Sequence, residues 1–173
     1  MRLLVLSDIH GQETLLRSIL RIETASSSRY PDYLVFLGDG LREFETLSYC
    51  GDVCALPAVA VRGNCDFFGA SDMPELRELT LASHRVMMMH GHRFEVKAGT
   101  DRAAVFAISK KQDLLLFGHT HVQQEIRYEA GDSVGGIRLE KPLVLFNPGS
   151  VRDGRYGVVV LSPDGISCES KRI

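Results

Sequence analysis

Histidine side chains in this sequence cluster in short loops that follow apolar segments. The stretch "LLFGHTHVQQ" places His119 and His121 one residue apart after an apolar run, and "MHGHR" places His90 and His92 in the same way. His10 lies in a similar loop, "SDIHG", so five of the six histidines occupy such positions. Imidazole nitrogens bind transition metals and transfer protons near neutral pH. This set therefore predicts metal or acid–base chemistry.

Acidic and amide side chains follow three other apolar segments. Asp8 comes shortly after "LLVL", Asp39 after "LVFL", and Asn64 after "AVAV". Because ligands bind at the carboxyl ends of the strands in open α/β sheets, we expect these residues and the histidines to form one site. Glycines that permit tight turns close to a site flank the set, at positions 11, 38, 40, 63, 91 and 118.

The combined set is suited to hydrolysis at phosphorus by two metal ions. Two ions about 4 Å apart can bind the attacking and the leaving oxygen, and Asp39 is the natural carboxylate to bridge them. With Asp8 and Asp39 as the only anionic ligands, two divalent ions leave a net charge of about +2, which a bridging hydroxide lowers to about +1. A phosphate diester anion would be attracted to such a site. Imidazole ligands favour zinc, iron, manganese or nickel over magnesium or calcium.

Each motif has another explanation when it is taken alone. Asp8 could cap a helix, "GDG" is an ordinary turn, and "GHTH" could be a solvated loop. A metal site is favoured by the combination of five motifs, each after an apolar segment: "DIHG", "GDG", "GNCD", "HGH" and "GHTH". His84 in "ASHRV" belongs to no such group, and we expect it on the surface of a hairpin.

Hydrophobic periodicity predicts parallel β-α-β units in the first part of the chain. Buried strands are predicted at "RLLVLS", "YLVFLG" and "PAVAVRG", with helices at 12–24 and 41–50 between them. An antiparallel hairpin is predicted at 76–90, then a helix at 100–112 whose N-cap is Thr100 or Asp101. Further strands follow at "DLLLFG", "VQQEIRYE", "PLVLFN", "YGVVVLS" and "ISCESKRI". We expect an α/β fold with a more antiparallel second half and two face-to-face sheets under outer helices.

Size and composition predict one domain, residues 1–173, with a substantial core. The chain has 173 residues, 45% of them hydrophobic, and its 20 basic and 22 acidic residues give a net charge of −2. We therefore expect no nucleic-acid-binding patch and no attraction to anionic membranes. The N-terminal apolar run is too short for a signal peptide, and no apolar run is long enough to cross a bilayer, so a cytoplasmic location is expected.

The four cysteines are expected to be free thiols. Cys50, Cys54, Cys65 and Cys168 lack disulfide-framework spacing. The pair in "CGDVC" could form half of a zinc site, but no second pair completes it. Two small, half-buried residues are the better interpretation of that pair.

The motifs "DIHG", "GDG", "GNCD", "HGH" and "GHTH", in this order and with "NPGS" at 147–150, resemble those of the calcineurin-like metallophosphoesterases. The resemblance covers nearly the whole chain. The short form without a cap domain looks like the small bacterial and archaeal phosphodiesterases of that superfamily, which are similar to the retromer scaffold subunit of eukaryotes. The resemblance implies a four-layer α/β/β/α sandwich of two mixed sheets with flanking helices and a site at the strand ends.

The resemblance also implies a role for each residue of the set. One metal would be held by Asp8, His10 and His121, and the other by Asn64, His90 and His119, with Asp39 as the bridge. On an extended segment, residues i and i+2 point to the same side, so we expect His119 and His121 to serve adjacent ions in this way. His92 matches the second histidine of "HGH" and is expected near the substrate or behind a ligand.

Cys65 departs from the pattern of the family. Many members read "GNH" followed by an acid, and that histidine is thought to help protonate the leaving group. Two cations nearby would favour the Cys65 thiolate. Either Cys65 fills the place of a catalytic acid, or it is a small residue packed under the "GNCD" loop. Asp66 could orient it or could cap the loop.

The function expected from this sequence is metal-dependent hydrolysis of a small phosphodiester. Two divalent transition-metal ions are expected, with manganese favoured over iron, nickel or zinc, and the candidate catalytic residues are Asn64, Cys65, His90 and His92. A scaffold that no longer catalyses and a phosphomonoesterase are the alternatives. Retention of all seven ligands favours catalysis. The sequence is compatible with a monomer and with a homo-oligomer.

Overall fold

Two five-stranded β-sheets lie face to face, and helices cover the outer face of each. The computed structural model describes residues 1–27, 30–49, 56–67 and 72–173. Both sheets contain parallel and antiparallel strand pairs, which confirms the predicted α/β class. In chain order the elements are β1 (Arg2–Leu6), α1 (Glu13–Thr24), β2 (Tyr33–Phe36), α2 (Leu41–Tyr49), β3 (Ala58–Ala60), β4 (Leu76–Leu81), β5 (His84–Met89), α3 (Asp101–Ser109), β6 (Leu114–Phe117), β7 (Gln123–Tyr128), β8 (Ser133–Val134), β9 (Ile137–Arg138), β10 (Leu143–Pro148), β11 (Arg155–Ser162) and β12 (Gly165–Arg172).

The strand order explains which ends of the strands meet. The first sheet has the order β12-β11-β1-β2-β3, and β1, β2 and β3 are parallel as predicted. The second sheet has the order β4-β5-β6-β10-β7, and β5, β6 and β10 are parallel. The second half is more antiparallel than the first, as predicted, because β4–β5, β7–β10 and β11–β12 pair antiparallel, whereas its central strands are parallel. The segment that carries α3 connects β5 to β6 as a crossover, which keeps the two strands parallel.

Three apolar clusters separate the four layers. In β1, Leu4 and Leu6 pack with α1 and α2, whereas Leu3 and Val5 pack between the sheets. In the second sheet, Met87 of β5 packs on the outer side with the alanines of α3. Both faces of these strands are covered, which is why their sequences are continuous apolar runs rather than alternating patterns.

Local differences from the sequence predictions lie mainly at element ends. Helix α3 stops at Ser109, before the predicted end at 112, and Lys111 has a left-handed φ of 53°. Thr100 occupies the N-cap position but makes no side-chain capping bond. The short β8–β9 pair was not predicted, because two-residue strands carry no periodic signal. His84 begins β5 and is half-buried, with its Nε2 2.9 Å from the Ser162 carbonyl, so it is less exposed than predicted.

The described residues include two of the four cysteines and all of the assigned helices. Cys65 and Cys168 are free thiols, whereas Cys50 and Cys54 lie outside the described residues. Within the described ranges, no helix has the length and apolar character needed to cross a membrane.

A single carboxylate joins the loop after β2 to the loop after β3. The Asp66 carboxylate accepts hydrogen bonds from the backbone N–H groups of Asp39, Gly40, Leu41 and Gly63, at 2.8 to 2.9 Å. The Leu41 N–H lies at the start of α2, where a negative charge is favoured by the helix dipole. Of the two roles predicted for Asp66, orienting Cys65 or capping the loop, the structure shows the loop cap. Asp66 thereby fixes the backbone that carries Asp39.

We expect Asp66→Ala to lower the free energy of unfolding by about 2–4 kcal/mol, because it leaves four inward-facing N–H groups without their charged acceptor. Asp66→Asn keeps acceptor capacity on one oxygen and should cost less, about 1–2 kcal/mol. Urea denaturation of the metal-free protein measures both. Glu140→Ala, at an exposed position, is the control and should stay within about 0.5 kcal/mol of wild type. Equal stability of Asp66→Ala and Glu140→Ala would contradict this role.

Candidate metal centre

The seven predicted ligands come together at one edge of the sandwich, as two adjacent half-sites. They follow the carboxyl ends of five strands: Asp8 and His10 after β1, Asp39 after β2, Asn64 after β3, His90 after β5, and His119 and His121 after β6. The loops of the two sheets face each other at this edge. The first half-site has ligands from both sheets, since His10 Nε2 lies 3.3 Å from His121 Nε2 and His121 Nε2 lies 3.1 Å from Asp8 Oδ1.

The second half-site is formed by His90, His119 and Asn64. His90 Nε2 lies 3.2 Å from His119 Nδ1 and 3.1 Å from Asn64 Oδ1. Asp39 lies between the half-sites, because its Oδ2 is 3.3 Å from His90 Nε2 and 3.8 Å from His10 Nε2. The distances place Asp39 where a bridging ligand would have to be.

The hydrogen-bond partners of these residues suit a cation site. The Leu37 carbonyl lies 2.8 Å from His90 Nδ1, so Nδ1 donates to it, and in the neutral ring Nε2 presents its lone pair to Asp39 and Asn64. Asp8 is fully buried, yet its Oδ1 has no hydrogen-bond donor. Buried acceptors that face one another without a donor are costly. Nitrogen and oxygen donors in this arrangement fit divalent transition-metal ions.

Protons compete with metal ions for these ligands. Burial opposes the charged form of His90, but the carboxylates of Asp39 and Asp8 outweigh it and raise its pKa. Burial likewise opposes ionisation of Asp39, but His90 and the Cys65 N–H hold the pKa of this carboxyl well below its usual range. Burial and the charge of His90 lower the pKa of His119 to about 4, with a smaller contribution from Lys97. His119 is therefore a neutral ligand at physiological pH.

Five of the seven ligands have a left-handed backbone. The φ angles are 55° at Asp8, 45° at His10, 61° at Asp39, 67° at His119 and 60° at His121. Non-glycine residues seldom adopt this conformation, and it concentrates at functional sites. The prediction that His119 and His121 lie on an extended segment is wrong. They reach different half-sites because the loop turns tightly, with the Thr120 N–H bonded to the Gly118 carbonyl.

The turns depend on glycine where another loop comes close. A Cβ at Gly118 would overlap the Ser7 hydroxyl, and a Cβ at Gly63 would overlap the Asp39 carboxylate. These positions therefore need the smallest residue for space, in agreement with the predicted role of the flanking glycines.

Buried polar residues that the sequence did not mark as functional hold the ligands in place. The Ser7 hydroxyl donates to Asp8 Oδ2 at 2.5 Å, and the Ser150 hydroxyl donates to the Asp8 carbonyl at 2.9 Å. Asn147 Nδ2 donates to the Gly118 carbonyl at 2.9 Å and to Thr120 Oγ1 at 3.1 Å. The only sequence signal was "NPGS", a polar segment directly after an apolar strand.

Cys65 lies beside the bridging ligand. Its N–H donates to Asp39 Oδ1 at 2.7 Å, and its Sγ belongs to a group with His10 and Asp39 whose ligand atoms lie within 4.8 Å of one another. The side chain is exposed, so the alternative in which Cys65 is packed under the loop is wrong. Partial desolvation of the sulfur and the carboxylates of Asp39, Asp66 and Asp8 raise the pKa of the thiol to about 11. Without the opposing charge of cations, the thiol stays protonated at neutral pH.

His92 is a neighbour of the second half-site. Its ring centroid lies 5.5 Å from that of His90 and 6.2 Å from that of His119. Its Nδ1 is buried without a hydrogen-bond partner. Burial and the charge of His90 lower its pKa. His92 therefore packs beside the ligands as a neutral imidazole, and its role in catalysis stays a prediction.

Comparisons with known proteins agree with this architecture. The chain is 28% identical over 170 residues to "Probable metallophosphoesterase YsnB" of Bacillus subtilis, covering 95% of this chain and 86% of that protein. Its fold is similar to that of Vps29 from Chaetomium thermophilum, with a TM-score of 0.69, 15% identity, and 99% and 97% of the two chains covered. A novel archaeal phosphodiesterase is also similar in fold, with a TM-score of 0.65, 14% identity, and 99% and 100% covered.

A family model decides the classification. The model of the calcineurin-like phosphoesterase superfamily domain matches residues 1–162. That range contains both sheets except β12, and all seven candidate ligands. The chain therefore belongs to the calcineurin-like phosphoesterase superfamily.

Proposed function

We propose that the chain is a metal-dependent phosphodiesterase that holds two divalent transition-metal ions, with manganese favoured. One observation carries the proposal: seven side chains with nitrogen and oxygen donor atoms form two half-sites on either side of Asp39, and the fully buried Asp8 Oδ1 has no hydrogen-bond partner. The relative that is named a probable metallophosphoesterase supports the reaction class, and the archaeal phosphodiesterase shows that a similar fold occurs in a diesterase.

The reaction adds water across one P–O bond of a diester and yields a phosphate monoester and an alcohol. Two bound ions would supply Lewis acidity to the phosphoryl oxygens and lower the pKa of water at the site. The protein positions the groups around them. Asp66 and Ser150 fix the backbone of Asp39 and Asp8, and the Leu37 carbonyl fixes the tautomer of His90.

The charge of the site favours a diester. Asp8 and Asp39 are the only two anionic ligands among the seven, so two divalent ions leave about +2 before any hydroxide binds. A diester carries one negative charge and a monoester carries up to two. Cys65 is a poor general acid for a leaving group, because two bound cations would favour its thiolate, which has no proton to donate. The charge favours diesters over monoesters, and the lack of a strong acid favours activated leaving groups, so phosphomonoesterase activity is the weaker alternative.

A binding module without catalysis is the second candidate. Phe67 favours it, because this large apolar side chain is 80% exposed two residues after Cys65, at the edge of the site. An exposed aromatic side chain is a common anchor for a partner protein. Metal-loaded protein that turns over no phosphoester would favour this alternative over hydrolysis.

Activity is expected to require metal and to prefer diesters. Bis(p-nitrophenyl) phosphate should be hydrolysed by manganese-loaded protein, the activity should disappear with chelator, and added manganese should restore it. p-Nitrophenyl phosphate, assayed in parallel, should have the lower kcat/KM because its second charge suits the site less well. Full activity of the metal-free protein would overturn the metal mechanism, and a clear preference for the monoester would overturn the substrate class.

Asp39→Asn is expected to lose metal and activity together. The amide can still accept the Cys65 N–H but supplies no negative charge to either half-site, so kcat/KM should fall about 100-fold or more. Metal content by elemental analysis and the diester assay provide the readouts, and circular dichroism checks the fold. His84→Ala lies outside the site and should retain near-normal activity and metal content. Greater damage from His84→Ala would show that the site has been misassigned.

Metal affinity is expected to weaken as the pH falls. The raised pKa of His90 means that a proton already occupies Nε2 at a pH above the ordinary value for histidine, whereas His119, with a pKa of about 4, stays unprotonated. Below the pKa of His90, affinity for the ion at the second half-site should fall about tenfold per pH unit. Isothermal titration calorimetry with zinc between pH 5.5 and 8 measures the slope. An affinity that is independent of pH over this range would contradict the assignment of His90 as a ligand.

A further inference from the structure

Ligands from both sheets meet at the first half-site. Asp8 and His10 follow β1 of the first sheet, whereas His121 follows β6 of the second sheet. Metal ligands have to be held within about 0.5 Å of their productive positions. A direct connection between the two sheets is therefore needed close to His121, so that the distance between these loops is fixed.

Arg155 makes such a connection. It is the first residue of β11, which pairs with β1 in the first sheet. Its guanidinium nitrogen Nη1 donates a hydrogen bond to the His121 carbonyl at 3.1 Å. In the part of the chain that the structure describes, no other donor to that carbonyl is present. The bond ties the backbone of His121 to the sheet that carries Asp8 and His10.

The backbone of Arg155 leads to the opposite ligand of the same half-site. Its N–H donates to the Ser150 carbonyl at 2.9 Å, and the Ser150 hydroxyl donates to the Asp8 carbonyl at 2.9 Å. The side chain of Arg155 thus contacts the His121 loop, while its backbone is connected through Ser150 to the Asp8 loop. One residue therefore spans the two loops whose separation determines the half-site.

The aliphatic stem of Arg155 packs tightly against a turn. A Cβ added at Gly149 would lie 2.9 Å from Arg155 Cβ, 3.2 Å from Arg155 Cδ and 2.8 Å from Gln123 Cγ, so there is no room for a larger residue. Gln123 forms a second connection between the sheets, because its Nε2 donates to the carbonyls of Tyr156 at 3.1 Å and Lys171 at 2.8 Å. The guanidinium therefore reaches the loop after β6 from a closely packed stem.

We propose that Arg155 is the positioning residue of the first half-site and sets its affinity for a divalent cation. Its bond holds His121 in the left-handed conformation, with φ 60°, in which Nε2 lies 3.1 Å from Asp8 Oδ1. Residues that hold metal ligands in this way typically change metal affinity about 10-fold to 100-fold. The inference rests on the metal centre of the proposed function, but it requires no hydrolysis.

The charge of Arg155 by itself predicts the opposite effect. A guanidinium is always protonated in proteins, and a positive charge beside a cation site weakens cation binding. If Arg155 acted only through its charge, its removal would strengthen metal binding. If it positions His121, its removal weakens binding at the first half-site and leaves the second half-site unchanged.

Two variant backgrounds separate the half-sites. His119→Ala leaves the first half-site intact, and His10→Ala leaves the second half-site intact. In each background, Arg155→Met keeps an aliphatic stem over Gly149 but has no N–H to donate. Isothermal titration calorimetry with cobalt(II) should show that Arg155→Met lowers affinity about tenfold or more in the first background and by less than about twofold in the second. The absorption spectrum of bound cobalt should change in the first background only.

Arg172→Met is the matched control. Arg172 is exposed and lies opposite Arg155 in the β11–β12 pair, so this variant removes the same charge close to the same place. It should leave cobalt affinity unchanged or raise it slightly. A gain of affinity in Arg155→Met, an equal loss in Arg172→Met, or an equal loss in both backgrounds would overturn the proposal.

A crystal structure of metal-free Arg155→Met, in the otherwise unaltered chain, tests the geometry directly. Without the bond to the His121 carbonyl, the separation of His121 Nε2 and Asp8 Oδ1 should increase from 3.1 Å by about 0.5 Å or more, whereas that of His90 Nε2 and Asn64 Oδ1 should stay at 3.1 Å. An unchanged first half-site would overturn the role of Arg155.

The same measurements distinguish failure of this role from failure of the proposed function. Wild-type protein that binds cobalt but hydrolyses no ester would overturn the phosphodiesterase function, and the comparison of Arg155→Met with Arg172→Met would still decide the role of Arg155. Wild-type protein that binds no cobalt would overturn both.

Discussion

The rest of the site depends on one electrostatic constraint: buried lone pairs that face each other need a cation between them. His90 Nε2 faces Asp39 and Asn64 because its other nitrogen is bonded to the Leu37 carbonyl. In a protein interior, such a set of acceptors is unfavourable unless protons or metal ions neutralise it. Without metal, the carboxylates favour protonation of His90, which is why its pKa is raised. A bound metal ion would neutralise the same groups in place of the proton. The same ligands therefore determine both the affinity for metal and its dependence on pH.

The fold meets this constraint by placing loops rather than regular elements at the ligands. Parallel strands of two sheets end at one edge, and the left-handed residues in the loops turn the side chains inward. Left-handed conformations cost free energy at residues other than glycine, so the loops need other interactions to hold them. The Asp66 carboxylate accepts four backbone N–H groups from the loops after β2 and β3. Asn147 and Ser150 donate to backbone carbonyls in the loops after β6 and β1. Apolar packing positions the strands, and buried polar groups position the ligands.

The sequence predicted the elements that depend on periodicity and missed those that depend on contacts between distant segments. The apolar runs of β1, β2, β5 and β6 were visible, and so were the polar residues that follow them. The strand order of the second sheet could not be predicted, because the crossover that makes β5 and β6 parallel is a property of tertiary packing. The left-handed conformation of His119 and His121 was also hidden, since an alternating sequence of polar residues is compatible with a strand or a turn. Ser7 and Asn147 gave little signal, because their roles appear only in the folded loops, where Ser7 donates to the Asp8 carboxylate and Asn147 donates to Thr120 after β6.

Cys65 shows how the two ions and the protein would divide the chemistry. The thiol lies beside Asp39, and without metal its partial desolvation and three nearby carboxylates raise its pKa to about 11. Two bound cations would instead favour the thiolate. In either state Cys65 is a poorer proton donor than an imidazolium at neutral pH, because the thiol holds its proton tightly and the thiolate has none. Stabilisation of the transition state would then have to come from the charge at the centre rather than from proton transfer. A site of this kind is suited to diesters whose leaving groups depart as stable anions.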